Sequence, residues 1–404
     1  MQRAYIYMEH PESGQVVTLG RLSLKGRLGE FVYAPEYVAQ GGWVPDPIHY
    51  PLRAEPYTGI TRNRGIPGFI NDAMPDGWGE RLLHRVYGQA LSTLDFLLKS
   101  PNNDRVGNLM AGRARTPDEG TGEGTIPSLN GLAKFIAACE AVYDGQLTAE
   151  AITALSMRQQ RSALGGARPK RTLQDKGMLI LAKPRDRFDH YDLPSIEHAC
   201  MTFAAMKGLS VARTALHAHS PSTLLVERFD RLPIKDGARR IPMLSALTLL
   251  DSEWNAPYHR DWQYAAVADE MRRRGVPVGD LQALFTRMCY NAMVGNSDDH
   301  PRNHAVIWLD GQWRLSPLYD VLPMLDEGPA KALAMAVGRE GSQISRLNLL
   351  SHHAHFGLAR DQAEHVLEEV ASWVPALRDH YATFLAGADL DSACAAASSD
   401  RMLS

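Results

Sequence analysis

The sequence predicts an α+β protein, with a mixed strand-and-helix N-terminal region and a mainly helical C-terminal lobe. Three observations predict it. Short apolar runs broken by turn residues crowd the first 60 positions. A second group of strand-like runs follows a Gly165-Gly166 turn. Beyond residue 242 apolar positions recur at helical spacing, with one pair of strands inserted.

The elements follow in order. Arg3–Tyr7 and Gln15–Leu19 flank the turn-forming His10-Pro-Glu-Ser-Gly14, and Gly29–Tyr33 reads as another strand. Asp72 to Gly79 is a turn-rich loop, and a helix is expected to open at Glu80. Asp118-Glu-Gly-Thr-Gly-Glu-Gly-Thr125 has no apolar face and marks a linker over 116–127. Helical spacing returns over Leu132–Val142 and Thr148–Met157. Met178–Ala182 is a strand that ends at Lys183. Ser195 is the expected N-cap of a helix over Ile196–Lys207, which Gly208 stops. Leu224–Phe229 reads as a strand closing with Asp230-Arg231. Helices are expected over Leu244–Leu250, Trp262–Arg274, Asp280–Val294 and Arg360–Phe384. Among them, His304–Leu309 and Gln312–Ser316 form a hairpin about Asp310-Gly311, because Asp-Gly suits a two-residue turn. The Ala/Ser-rich tail Ser392–Ser404 is expected to fray. The segments group as 1–115, a linker 116–127, 128–240 and 241–404.

Composition narrows the function. A chain of 404 residues with 45% hydrophobic side chains can bury a sizeable core. A net charge of -3 provides no basic field for direct binding of nucleic acid. Cys139, Cys200, Cys289 and Cys394 lie far apart without a CxxC, which argues against thiolate zinc and for free thiols in a reducing compartment. No basic-then-apolar leader and no membrane-spanning apolar run is visible, so a soluble cytoplasmic protein without a membrane partner is expected.

The chemistry concentrates in Val294 to Asp320. Asp298 is followed five positions later by Asn303, then by the hairpin, then by Asp320. Phosphoryl transfer needs a carboxylate to take the acceptor's proton and hard oxygen ligands for magnesium beside the phosphates. Asp298 fits the base, and Asn303 and Asp320 fit the metal ligands. A polar loop capping its own turns would explain each residue alone but not the whole order. Lys183 at a strand end and Glu197 on the next helix could hold ATP phosphates as a pair. Each is also an ordinary surface choice. Gly165 and Gly166 can bring backbone N–H groups close to phosphate, with Ala167, Arg168, Pro169 and Lys170 completing the loop. Glu227, Arg228 and Phe229 would pass the adenine in a two-lobed, protein-kinase-like fold. His300 and His304 raise a metal-hydrolase alternative, weakened because Pro301 prevents a regular helix between them.

These motifs, taken together, resemble the HipA family of bacterial toxin serine/threonine kinases. The likeness rests on Phe31-Val-Tyr-Ala-Pro-Glu-Tyr37, Pro51-Leu52 and Asn71-Asp-Ala-Met-Pro-Asp-Gly-Trp-Gly79 toward the N-terminus. It continues through Leu164-Gly-Gly-Ala-Arg-Pro-Lys170, Val226-Glu-Arg-Phe-Asp-Arg231, Asn296-Ser-Asp-Asp-His-Pro-Arg-Asn303 and Leu318-Tyr-Asp320. The resemblance implies Asp298 as catalytic base and Asn303 and Asp320 as magnesium ligands. It implies an ATP site lined by residues 165–170, Lys183, Glu227–Phe229, His300, Pro301, Arg302, Asn303, Tyr319 and Asp320. It further implies a protein target in translation, an aminoacyl-tRNA synthetase in the best-understood members, leading to growth arrest and drug tolerance. A separate helix-turn-helix antitoxin chain would bind the kinase, with DNA contacted only through it. Family members often carry an autophosphorylated serine where this chain has Ala163, next to Ser162. Either Ser162 serves, or the switch is missing, or Ala163 is a substitution. A small-molecule phosphotransferase and an inactive pseudokinase acting as a co-repressor platform are the rival functions.

Overall fold

The computed structural model describes residues 2–75, 77–122, 126–143, 168–217, 221–234, 237–254, 259 and 261–404. The expected helix Thr148–Met157, the loop residues Gly165, Gly166 and Ala167, and Ser162 and Ala163 lie outside the described residues. The chain forms two compact units, Met1–Arg187 with Leu225–Leu244, and Phe188–Leu224 with Ser245–Ser404.

The first unit opens with a five-stranded antiparallel sheet, in the order Tyr57–Ile60, Leu28–Tyr33, Val16–Lys25, Gln2–Glu9 and Leu109–Gly112. Ala4, Ile6, Leu22 and Phe31 bury one face. Phe31 packs edge-on against Tyr33 and Phe69 at 4.9 and 5.5 Å, geometry that suits aromatic quadrupoles. The helix expected at Glu80 already runs over Gly77–Tyr87, because Trp78 is buried and extends its apolar face toward the N-terminus.

The same unit holds a hairpin that the sequence reading missed. Arg171–Asp175 pairs with Met178–Pro184 through Lys176 and Gly177, both with positive φ (47° and 85°). Such a turn matches the right-handed twist of its strands. The end of the strand Thr223–Glu227 runs beside it, with Arg228 N–H donating to Leu179 O at 2.9 Å. Leu173, Ile180 and Leu225 meet Trp78, Leu82 and Phe135 in one core. The described residues on both sides of the glycine-rich stretch after Asp118 belong to this one compact unit.

A buried ion network ties distant segments of this unit together. Asp230 accepts from Arg228 through both oxygens at 2.9 and 2.7 Å, from Arg231 at 2.8 Å and from Gly107 N–H at 3.0 Å. Arg228 also donates to Asp104 at 2.9 Å. All these side chains are under one-tenth exposed, and the arginines hold the Asp230 carboxyl far below its ordinary range despite burial.

The second unit is mainly helical, as expected. Val278–Val294 is its central helix, burying Leu281, Leu284, Phe285, Met288 and Cys289 at helical spacing. Several expected boundaries need correction. Leu193–Met206 is capped by Asp192, which accepts from Ser195 N–H at 3.3 Å, so Ser195 is inside the helix rather than its cap. Ser245 caps a shorter helix, Ala246–Leu249. Arg360–Phe384 is two helices, Arg360–Ala371 and Val374–Tyr381. Pro375 explains the break, since it cannot donate within a continuous helix and is tolerated in a first turn. The tail does not fray. Gly387–Ala396 and Asp400–Leu403 are helical, with Ala393, Ala396 and Met402 buried. The four cysteines are free thiols, three buried and Cys394 half-buried. Among the described residues no helix is long and apolar enough to cross a membrane.

Candidate active site

Glycine 295 ends the central helix. Its φ of 78° is left-handed, and its N–H returns to Asn291 O. A Cβ here would lie 2.6 Å from Ala396 O, so the packed tail and the turn both require glycine. The chain then makes a tight loop. His300 N–H donates to Asp298 O at 2.9 Å, and Asn303 N–H to His300 O at 2.8 Å. Pro301 opens the one-turn helix Pro301–Asn303. The Asn303 side-chain N–H donates to Asp298 O at 3.1 Å. That bond occupies the amide nitrogen and leaves the amide oxygen as the donor atom toward a cation.

The hairpin brings the second acid back. Ala305–Leu309 and Gln312–Leu315 pair around Asp310 and Gly311, whose φ values are 50° and 79°. Beyond it, Leu318 N–H donates to Ser210 O and its carbonyl accepts from Ala212. Tyr319 donates its hydroxyl to Arg302 O at 2.8 Å, closing the return strand onto the loop. Asp320 sits at φ 60°, a left-handed conformation costing about 1–2 kcal/mol outside glycine. Asp298 faces solvent, yet its carboxyl is raised above the ordinary range. Partial burial is the main cause and the charge of Asp320 adds to it, while His300 opposes. The two carboxylates therefore act on each other although 22 positions separate them.

The neighbouring acid has a different task. Asp299 is fully buried. It accepts from Ala334 N–H at 2.9 Å and from the Tyr264 hydroxyl. Asn291 donates to that hydroxyl at 3.1 Å, and His304 lies 3.3 Å from it. Burial outweighs these donors and pushes the Asp299 carboxyl up to about 7. His304 is likewise enclosed, and burial drives its imidazole well below its ordinary value, toward the neutral form. The sequence assigns no role to Asp299 or Tyr264, since a buried carboxylate beside an exposed one leaves no mark in residue spacing. A stability consequence follows. The folded state binds the Asp299 proton more tightly than an unfolded chain, whose carboxyl titrates near ~3.9. This contribution is present below that value and lost as pH rises to about 7. Thermal melting of the wild type is expected to fall between pH 5 and 7.5, with Asp299→Asn flattening that slope.

The other expected residues are placed as follows. In the second unit Glu197 is buried on the helix Leu193–Met206. In the first unit Lys183 is half-buried near the end of its strand, Lys170 is half-buried, Pro169 buried and Arg168 exposed. Glu227 and Phe229 are half-buried. Arg228 is buried. Its guanidinium is committed to Asp104 and Asp230 and its N–H to Leu179 O, so a ligand would meet its carbonyl rather than its charge. Among the described residues no cluster of three or more His, Cys, Asp or Glu side chains could hold a metal by itself. The pair Asn303 and Asp320 fits magnesium, which takes one or two carboxylates and completes its shell with water and phosphate oxygens.

Comparison with known proteins agrees with this architecture. The model for the HipA-like C-terminal domain matches residues 162–377, and that for the HipA N-terminal domain matches residues 13–111. The chain belongs to the HipA family. A relative from Sinorhizobium fredii, named "Putative kinase Y4mE", is 25% identical over 352 residues, covering 81% of this chain and 79% of that protein. The HipA chain of a Shewanella oneidensis MR-1 complex of HipA, HipB and operator DNA superposes with a TM-score of 0.70 at 17% identity. That match covers 93% of this chain and 92% of the other and establishes a HipA-like α+β fold. The Helicobacter pylori kinase CtkA gives a TM-score of 0.44 at 12% identity over 57% of this chain and 87% of its own, too distant to argue from.

Proposed function

We propose that this HipA-family protein is a kinase that transfers the terminal phosphoryl group of ATP to a serine or threonine hydroxyl of a protein. The observation that carries the reading is the closed loop-and-hairpin unit that sets Asp298, Asn303 and Asp320 together, with the Asp298 carboxyl raised beside Asp320. Asp298 takes the proton of the attacking hydroxyl as its oxygen bonds to the γ-phosphorus and the bond to ADP breaks. Asn303 and Asp320 would hold magnesium, which when bound neutralises phosphate charge. By the family resemblance, Lys183 and residues 165–170 in the first unit would bind phosphates and Glu227 to Phe229 the adenine, and in the second unit His300 to Asn303 and Tyr319 would bind nucleotide. These residues fall in the segments 128–240 and 241–404.

Family membership carries the reading further. The target is a protein of the translation machinery, an aminoacyl-tRNA synthetase by analogy, and the outcome is growth arrest in the cytoplasm. The partner is a small antitoxin on a separate chain, in line with the HipB present in the Shewanella complex.

Incubation with γ-labelled ATP and total cell protein tests the reading. A labelled protein band is expected. Label confined to a small molecule would make it a metabolite phosphotransferase, and no ATP consumption would make it a pseudokinase. Chelation of divalent cations is expected to stop transfer completely, with recovery on adding magnesium. Unchanged transfer in chelator would remove the metal roles of Asn303 and Asp320.

A further inference from the structure

Trp254 follows the short helix Ala246–Leu249 and keeps 38% of its surface exposed. Its ring meets that of His300 edge-on, with centroids 4.6 Å apart and planes at 89°. The Arg302 guanidinium lies 4.9 Å from its centroid, within reach for a cation–π contact. The ring also packs against Trp262 at 5.5 Å. Trp262 is a fixed base, only 5% exposed. Its carbonyl accepts from Ala336 N–H at 2.7 Å, and Tyr264 N–H donates to Ala336 O at 3.0 Å.

His300 and Arg302 are the two side chains flanking Pro301, inside the span from Asp298 to Asn303. The backbone of His300 bonds both ends of that span, donating to Asp298 O and accepting from Asn303 N–H. A ring that grips positions 300 and 302 therefore acts on the peptide planes that carry Asp298 and Asn303. We propose that Trp254 is a positioning residue for the catalytic loop, a tryptophan brace anchored on Trp262 that holds His300 by its ring edge and Arg302 over its face. Trp254 need not touch a substrate. Its effect is to keep the loop in one geometry, and small misplacements of reacting groups are costly in rate. For its link to catalysis the proposal rests on the kinase reading above.

Three variants and two measurements test it. Trp254→Ala is expected to lower kcat about tenfold, a barrier rise of about 1.4 kcal/mol. Amide hydrogen exchange in the peptide spanning 296–304 is expected to accelerate in the same variant. Trp254→Phe, which keeps an aromatic face and edge, is expected to restore both. Trp254→Leu fills apolar space without a ring quadrupole and is expected to restore neither. Wild-type exchange and kcat in Trp254→Ala would overturn the proposal, as would full recovery in Trp254→Leu. If the wild type transfers no phosphate, the kinase reading fails, and the exchange rates alone decide whether the brace exists.

Discussion

Asp298→Asn is expected to reduce phosphoryl transfer by about 10²–10⁴-fold, the usual worth of a positioned general base, while leaving the fold intact. The amide keeps the size of the carboxylate and cannot accept the hydroxyl proton. Asp298 faces solvent, and the loop bonds pass through its backbone carbonyl, which accepts from His300 N–H and from the Asn303 side chain. Those bonds survive the change. The substitution also removes a negative charge beside Asp320, so the melting temperature is expected to stay level or rise slightly. The measurement pairs a rate of label transfer with a thermal melt. Transfer within a few-fold of the wild type would end the assignment of Asp298 as base. Asp299 is the contrasting neighbour: it is buried and accepts from Tyr264 and Ala334, so its substitution is read in the pH dependence of melting described above.

Asp230→Ala is expected to destabilise the first unit by about 3–5 kcal/mol, the cost of leaving a buried charge uncompensated. Arg228 and Arg231 would both lose their shared carboxylate, and Gly107 N–H would lose its acceptor. Neither guanidinium can shed its proton readily, so water or structural change must answer the charge. Urea unfolding followed by circular dichroism measures this cost. A change under about 1 kcal/mol would mean that the pocket admits enough solvent to make the network dispensable. The pH dependence has a definite sign. The folded Asp230 carboxyl is depressed, so its stabilisation is present above the unfolded value near ~3.9 and declines as pH falls below it. The variant should therefore lose part of the wild type's sensitivity to acid.

The legibility of the site differs from residue to residue. Asp298 and Asn303 stand out because a five-residue interval after a helix-stopping glycine is a local pattern. The Asp310-Gly311 turn stands out for the same reason, and the return of Asp320 follows from it. Arg228 shows the limit. It sits inside a recognisable Glu-Arg-Phe-Asp-Arg run, yet its partner Asp104 is 124 positions away, and no neighbour in sequence records that pairing. Trp254 reads as one more aromatic in a loop until Arg302 and His300 are placed against it. The tail misleads in another way. Alanine and serine suggest fraying, but small side chains also permit the close approach of Ala396 to Gly295.

By itself the sequence determined the local conformations: the helix end at Gly295, the two-residue turn at Asp310-Gly311, the apolar spacing of Asp280–Val294 and the order of the acidic and amide residues. These depend on backbone preferences and periodicity within a few residues. Only the tertiary structure decided that Asp298 is exposed and Asp299 enclosed, that Arg228 is spent on Asp104 and Asp230, and that Trp254 lies against the catalytic loop. Burial and charge pairing are set by segments far apart in the chain. They come into being only when packing removes water from between them.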